Sequence, residues 1–183
     1  VSLVVAWFGD DLRVGECTVQ PKVEDSSRDG REMAWRAGGV GRDQVQQVAR
    51  VDDRPIYGGT PADGSVMQAL RAIRDSGRKA VFYPFILMEQ LSGNTRPDPW
   101  SGAARQPVMP WRGRITTSIA AGRDGSPAGT AAAAAEVARF FGAARAGDFQ
   151  RDGDSITYAG PAEWSYRRFI LHYAHLCAAA GGI

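Results

Sequence analysis

The chain has few of the residues that most often bind metals or carry nucleophilic catalysis. Its 183 residues include two cysteines, Cys17 and Cys177, and two histidines, His172 and His175. The cysteines lack a CxxC or metal-binding spacing, so we expect two free thiols, with a disulfide between them as the alternative. The histidines could share one helix face, but no third ligand has a suitable spacing, so we expect no metal site and no cofactor.

Long apolar runs, one-sided charge and the common enzyme motifs are also missing from the sequence. No stretch approaches the length of a transmembrane helix, and the apolar residues 1–8 lack the basic lead of a signal peptide. The 22 basic and 20 acidic residues leave a formal charge of +2. We therefore expect neither a nucleic-acid partner nor a membrane span. The sequence contains no GxSxG, HExxH or GxGxxG motif.

Strand and helix patterns alternate along the chain. Residues 3–8 and 80–88 contain apolar runs typical of buried strands, and helical stripes follow each of them. The first helix is expected to begin at Thr60 as its N-cap residue. The order strand, helix, strand, helix, helix and a final interrupted strand predicts an α/β fold with parallel strands. Since a (β/α)8 barrel typically needs ~250 residues, we expect an incomplete TIM-barrel-like fold, roughly its first half with long loop insertions.

Three carboxylates follow the two predicted strands and are the candidate catalytic residues. Asp10 and Asp11 come directly after the first strand, and Glu89 follows the second. Functional groups in parallel α/β folds lie at the C-terminal ends of the strands, and glycoside hydrolysis needs two carboxyl groups beside the scissile bond. The alternative is structural: Asp10 and Asp11 would be turn residues that accept hydrogen bonds from backbone amides.

Aromatic side chains near these carboxylates are candidates for stacking on sugar rings. Trp7 precedes Asp10, and Tyr83 lies within the second strand. Trp111 and Arg112 stand on a long loop, where they could bind an acidic sugar or phosphate or clasp a neighbouring subunit. The candidate carbohydrate-binding residues are therefore Trp7, Tyr83, Trp111 and Arg112, with core packing as the alternative role for the first two.

Six segments carry a resemblance to a known family. They are VVAWFGDDLR at 4–13, RPIYGGTPADGSV at 54–66, VFYPFILM at 81–88, GNTRPDP at 93–99, PWRGRIT at 110–116 and FILHYAHLCAAAGGI at 169–183. Together they resemble the TIM-barrel-like domain of gene transfer agent and phage tail proteins, which are large multidomain chains described as host-specificity or tail hub proteins. The resemblance extends over nearly the whole sequence.

The resemblance implies a fold and a biological setting. Residues 1–183 would form the N-terminal part of a single TIM-barrel-like domain, cut from a larger multidomain chain. The protein would be made in the bacterial cytoplasm and assembled into the tail of a virion or phage-like particle. Its partners would be other tail and baseplate proteins in an oligomeric assembly, together with glycan of the host envelope.

The resemblance implies that the chain is a structural and attachment component of a tail hub that engages the host cell envelope. It also implies an alternative function. The family's domain is similar to glycoside hydrolase barrels, so the chain would belong to an enzyme that acts on cell-wall or surface polysaccharide. The family's acid/base Glu falls on a strand after the Gly-Gly pair, beyond Ile183. We therefore expect this chain to lack that catalytic group and to be inactive as a hydrolase by itself.

Overall fold

The structure, a computed structural model, describes residues 1–109 and 114–181. Three α-helices occur in this part of the chain: α1 Asp63–Asp75, α2 Ala131–Phe141 and α3 Tyr166–Ala179. Two short 3-10 helices cover Arg42–Gln44 and Ala146–Asp148. The strands are β1 Ser2–Gly9, β2 Val19–Gln20, β3 Arg36–Ala37, β4 Val40–Gly41, β5 Arg50–Val51, β6 Arg54–Pro55, β7 Val81–Met88, β8 Phe149–Asp152 and β9 Ser155–Tyr158. None of the described helices is both long and apolar enough to cross a membrane.

The largest sheet has three strands in the order β2-β1-β7. β1 and β7 are parallel over their full lengths, from Ser2 opposite Val81 to Gly9 opposite Met88. β2 is short and antiparallel to the end of β1. Consequently the C-terminal ends of β1 and β7 meet at one edge of the sheet, and β2 begins beside that edge.

Pro84 lies inside β7 without interrupting its pairing with β1. The amide of Val81 donates to the carbonyl of Val1 at 2.9 Å, and the amide of Glu89 donates to that of Gly9 at 3.3 Å. The odd-numbered amides of β7 therefore point toward β1, and the backbone at position 84 points away from β1, toward the unpaired side of β7. Because proline has no N–H, it is tolerated where the strand edge has no partner in the sheet.

The core lies on one face of the β1–β7 pair. Strand alternation points Val5 and Trp7 inward, where both are buried, and turns Val4 outward, where it is 51% exposed. The inward face packs against the apolar stripes of α1 and α3. The helix residues buried in this core are Val66, Met67, Leu70, Phe169, Tyr173 and Leu176.

The predicted incomplete (β/α)8 barrel is wrong. Apart from the parallel β1–β7 pair, the named strands of the described residues form short antiparallel pairings, and the sheets have two or three strands with no closed barrel. The cause is local turn chemistry. Gly38 and Gly39, at φ +64° and +80°, and Asp52 and Asp53, at φ 48° and 59°, form two-residue turns between β3 and β4 and between β5 and β6. Such turns fold the chain back on itself, so these segments form hairpins instead of barrel strands.

The predicted N-cap of the first helix is wrong, because the N-cap residue of α1 is Ala62. Thr60 does not cap α1; its hydroxyl donates to the Ala6 carbonyl at 2.9 Å and accepts the Lys22 amide at 3.2 Å. Thr130 caps α2 by accepting the Ala132 amide, and Ser165 caps α3 by accepting the Arg168 amide. Thr60 therefore ties the segment before α1 to the central sheet.

Candidate functional site

An open cleft of about 780 Å³ lies at the edge where β1 and β7 end. Most of its lining residues are polar, and they come from the ends of the sheet strands, the segment before β5, the segment after β7 and the segment before α3. They are Asp10, Thr18, Gln20, Lys22, Gln46, Gln47, Ala49, Glu89, Leu91, Ser92, Gly93, Asn94, Arg96 and Trp164.

The strand pairings bring these distant segments together. Phe8 in β1 lies opposite Gln20 in β2, so the residue that follows β1 meets the residue that precedes β2. Asp10 accordingly accepts the Thr18 amide on its Oδ1 at 2.8 Å. The parallel register of β7 ends with Gly9 opposite Met88, which places Glu89 at the same edge.

A buried ion pair lies in the cleft wall between Lys22 and Glu89. The Lys22 Nζ contacts Oε1 of Glu89, and each side chain is 7% exposed. The other carboxylate oxygen, Oε2, accepts the Ala49 amide at 3.1 Å. The backbone of Lys22 is held in turn by Thr60, whose amide donates to the Lys22 carbonyl at 2.7 Å. Both oxygens of Glu89 are thus occupied, and the pair fixes the segment before β5 against the sheet.

A second charged cluster joins Asp10 to the interior. Arg96 lies between two carboxylates, with Nη2 3.8 Å from Asp10 Oδ2 and Nε 3.6 Å from Asp11 Oδ2. Asp11 is buried and accepts the Arg13 guanidinium at 2.7 Å and the Gln106 amide at 2.7 Å. Burial acts to raise the pKa of Asp11, but these bonds and the Arg13 amide outweigh it and lower the pKa below its ordinary value. Asp11 therefore remains ionised and holds the cleft wall together.

Trp164 contributes the aromatic surface of the cleft. The rings of Trp164 and Trp7 are in an edge-to-face contact, with a centroid distance of 5.8 Å and an interplanar angle of 78°. The guanidinium carbon of Arg168 lies 3.8 Å from the Trp164 ring centre and 4.0 Å from that of Tyr158.

Arg168 donates to the carbonyls of Glu163 and Gly38 at 2.6 Å and 2.7 Å. Burial lowers the pKa of Arg168 to about 10, so the side chain stays charged at neutral pH and anchors both rings.

The structure places the sequence candidates in different surroundings. Asp10 and Glu89 line the cleft, whereas Asp11 lies behind its wall. Trp7 is completely buried and packs in the core. Tyr83 is 59% exposed on the sheet face turned away from the core, where its ring stacks on Phe85 at 6.4 Å. The remaining two candidates, Trp111 and Arg112, lie outside the described residues.

The two histidines contact other side chains of the described residues, and the two cysteines are not joined by a disulfide. The His172 Nε2 lies 3.0 Å from Asp63 Oδ1, and both side chains are buried. His175 stacks on Phe149 at a centroid distance of 5.4 Å. Cys17 and Cys177 are free thiols. No group of three or more metal-ligating side chains occurs among the residues that the structure describes.

Sequence reasoning missed most of the cleft. Gln20 and Lys22 lie in and after a two-residue strand, and Gln46 lies in a segment without clear periodicity. Trp164 lies just before α3, where no sequence pattern marks an aromatic residue as a ligand-binding one. For Gln20 and Lys22, the sequence offered only their position: β2 follows β1 closely enough to fold back beside the C-terminal end of β1.

The cleft can bind a polar ligand that offers both hydroxyl groups and an apolar face. Amide and carboxylate side chains provide donors and acceptors, and Trp164 provides a flat apolar surface. Both oxygens of Glu89 are already occupied, one by Lys22 and the other by the Ala49 amide, so the arrangement is better suited to binding than to acid catalysis. No family model and no curated protein matches this chain.

Proposed function

We propose that this chain is a glycan-binding attachment component of a phage-like tail hub and that it engages envelope polysaccharide through the cleft at the ends of β1 and β7. The observation that carries the binding part is the combination of an anchored tryptophan ring with a wall of polar side chains in one open cleft. Sugars present hydroxyl groups at their edges and C–H groups on their faces, and such a cleft matches both.

The tail setting is supported by the family resemblance of the six sequence segments. In that setting the neighbouring tail and baseplate proteins would hold several copies of the chain close to the cell surface. Weak single-site binding would then suffice, because linked sites raise the overall affinity by roughly 10²–10⁴ without new contacts. The barrel fold implied by the same resemblance is absent from the described residues, so the proposal depends on the cleft and not on a barrel.

Sedimentation with insoluble cell-wall polysaccharide tests the binding part of the proposal. The purified chain should co-sediment with the polysaccharide, and Trp164→Ala should remove most of the bound fraction. Trp100→Ala is the matched control, because Trp100 is 41% exposed and lies outside the cleft lining. Equal loss in both variants, or no binding by the unaltered chain, would refute a cleft-based attachment function.

Immunoelectron microscopy tests the tail setting independently. An antibody raised against this chain should label the tail tips of purified phage-like particles from cells that express it. Particles that carry no label, while the chain is present in the cytoplasm, would argue against a tail component even if the chain binds glycan.

A glycoside hydrolase function is the second candidate, and it is favoured by the presence of Asp10 and Glu89 in the same cleft. Against it, Glu89 is paired with Lys22 and Asp10 already accepts the Thr18 amide. We expect no release of reducing ends from cell-wall polysaccharide. Release that disappears in Asp10→Asn would instead establish the hydrolase function.

A further inference from the structure

The charges in the cleft balance one another. Its lining contains two cationic side chains, Lys22 and Arg96, and two anionic side chains, Asp10 and Glu89. Each cation is close to a carboxylate: Lys22 contacts Glu89, and Arg96 lies 3.8 Å from Asp10 and 3.6 Å from Asp11. The Arg96 side chain is 40% exposed, but it faces two carboxylates, so each cation of the described lining already has an anionic neighbour.

The Lys22–Glu89 pair is particularly unfavourable for an anionic ligand. Each of its side chains is 7% exposed, so the Lys22 ammonium turns little of its surface toward the cleft. A ligand carboxylate that approached Lys22 would also approach Glu89, and Asp10 adds a further negative charge to the same lining. Like charges placed together in a poorly solvated site repel strongly and discriminate against the wrong partner.

Uncharged groups of the cleft remain available for hydrogen bonding. The Gln20 amide nitrogen donates to Gln46 Oε1 at 3.4 Å, which leaves Gln20 Oε1 and the Gln46 amide nitrogen without a hydrogen bond among the described residues. The first is a hydrogen-bond acceptor and the second is a donor, and both belong to side chains that line the cleft. Sugar hydroxyl groups both donate and accept, so they match both kinds of group.

We propose that the cleft selects uncharged saccharides and rejects saccharides that carry carboxylates. This inference rests on the proposed glycan-binding function and specifies its ligand class. Neutral hexose units would place hydroxyl groups against Gln20 and Gln46 and a ring face against Trp164. Acidic units of the same shape would bring a carboxylate into a cleft whose cations are already neutralised.

Isothermal titration with matched oligosaccharides tests this selectivity on the unaltered chain. β-1,4-Mannohexaose and the β-1,4-mannuronan hexamer share ring configuration and linkage and differ by oxidation at C6, as do cellohexaose and the β-1,4-glucuronan hexamer. The neutral member of a pair should bind at least roughly tenfold more tightly at low salt. Its affinity should change less than about twofold between roughly 20 mM and 300 mM salt, because no ligand charge is screened.

The outcomes separate this inference from the function on which it rests. Tighter binding of an acidic member, or an affinity for it that falls steeply with salt, would overturn the selectivity and leave glycan binding intact. Failure of all four oligosaccharides and of cell-wall polysaccharide to bind would overturn the glycan function and the selectivity together.

Removal of one charge supplies a variant test. Glu89→Gln removes the counter-charge of Lys22, so affinity for the mannuronan hexamer should rise at least about fivefold relative to that for mannohexaose. Gln47→Glu is the opposite change: it adds a carboxylate to the lining and should weaken mannuronan binding further. If Glu89→Gln leaves the ratio unchanged while circular dichroism shows a folded chain, the charge-balance argument is wrong. If that variant does not fold, Gln47→Glu and the salt dependence still decide the question.

Discussion

The guanidinium of Arg168 is stacked between two aromatic rings, and its carbon lies 3.8 Å from the centre of Trp164. It also donates to the carbonyls of Glu163 and Gly38, so a side chain of α3 holds the segment before α3 against the β3–β4 turn. This arrangement fixes the orientation of the ring that forms the aromatic surface of the cleft. Arg168 is thus a positioning residue that acts on a ligand through Trp164.

Substitution of Arg168 should affect glycan binding more than folding. Arg168→Lys keeps the charge but loses the planar stacking surface and the two-carbonyl contact, because lysine ends in a single ammonium group. We expect affinity for a neutral hexasaccharide to fall by roughly tenfold, with the near-ultraviolet circular dichroism of the tryptophans altered. Arg167→Lys is the control, since Arg167 is exposed and lies next in sequence. Equal affinities in the two variants would contradict the positioning role.

Asp63 connects three elements and should be important for stability. Its Oδ1 lies 3.0 Å from His172 Nε2 in α3, and its Oδ2 accepts the Ser155 hydroxyl at 2.8 Å and the Ile156 amide at 3.1 Å in β9. Asp63→Ala would leave these buried groups without partners, at a cost of about 3 kcal/mol in the free energy of unfolding. Urea denaturation measures this change.

The control for Asp63 lies on the same helix. Asp75 ends α1 and its side chain is 73% exposed, so Asp75→Ala should change the free energy of unfolding by less than about 0.5 kcal/mol. A similar small change in Asp63→Ala would show that the Asp63 contacts contribute little to stability.

Asp11 should make stability depend on acid pH. Its folded pKa is lowered, so its contribution is fully present above the ordinary value of 3.8 and is lost as pH falls through the folded pKa. At pH 7, Asp11→Asn should lower the free energy of unfolding by about 2 kcal/mol. When the pH falls from about 5 to about 2, the free energy of unfolding of this variant should decrease by less than that of the unaltered chain. Urea denaturation across that range provides the measurement, with Asp124→Asn as an exposed control. Parallel pH profiles for the unaltered chain and Asp11→Asn would contradict this role.

The two thiols should differ in reactivity. Burial raises the pKa of Cys17 to about 12, and it also raises the pKa of Cys177, which is only partly buried and therefore more accessible. At pH 8 about one Cys17 side chain in ten thousand would be a thiolate, which is the reactive form. A disulfide-exchange reagent should therefore modify Cys177 in the native chain and both thiols in urea. Rapid modification of Cys17 in the Cys177→Ser variant would contradict the buried environment.

The sequence predicted the local features that depend on periodicity. The stripes of α1 and α3, including Val66, Leu70 and Tyr173, are buried as the helical spacing required. The convergence of Asp10 and Glu89 also followed from their positions after two strands that proved to be parallel. The helix stripes depend on local spacing alone, whereas the convergence of Asp10 and Glu89 also required the two strands to pair in parallel.

The barrel and most of the cleft could not be predicted by the same rules. Short strands of two residues, such as β2, carry no periodic signal, although the pairing of β2 with β1 positions Gln20 and Lys22. Trp7 was a candidate ligand-stacking residue, but strand alternation points it into the core. Trp164 was not a candidate, because its position depends on Arg168 and Trp7, and the contact with Trp7 spans a long sequence separation.

The most direct test of the glycan cleft is a nuclear magnetic resonance titration of the tryptophan indole N–H signals. The chain has five tryptophans, and single Trp→Phe variants assign each signal. Addition of β-1,4-mannohexaose or cellohexaose should shift the Trp164 signal, while the signals of buried Trp35 and exposed Trp100 stay in place. Saturable shifts of Trp164 would establish the cleft as the binding site. Shifts confined to Trp100, or none with either sugar at millimolar concentration, would contradict it.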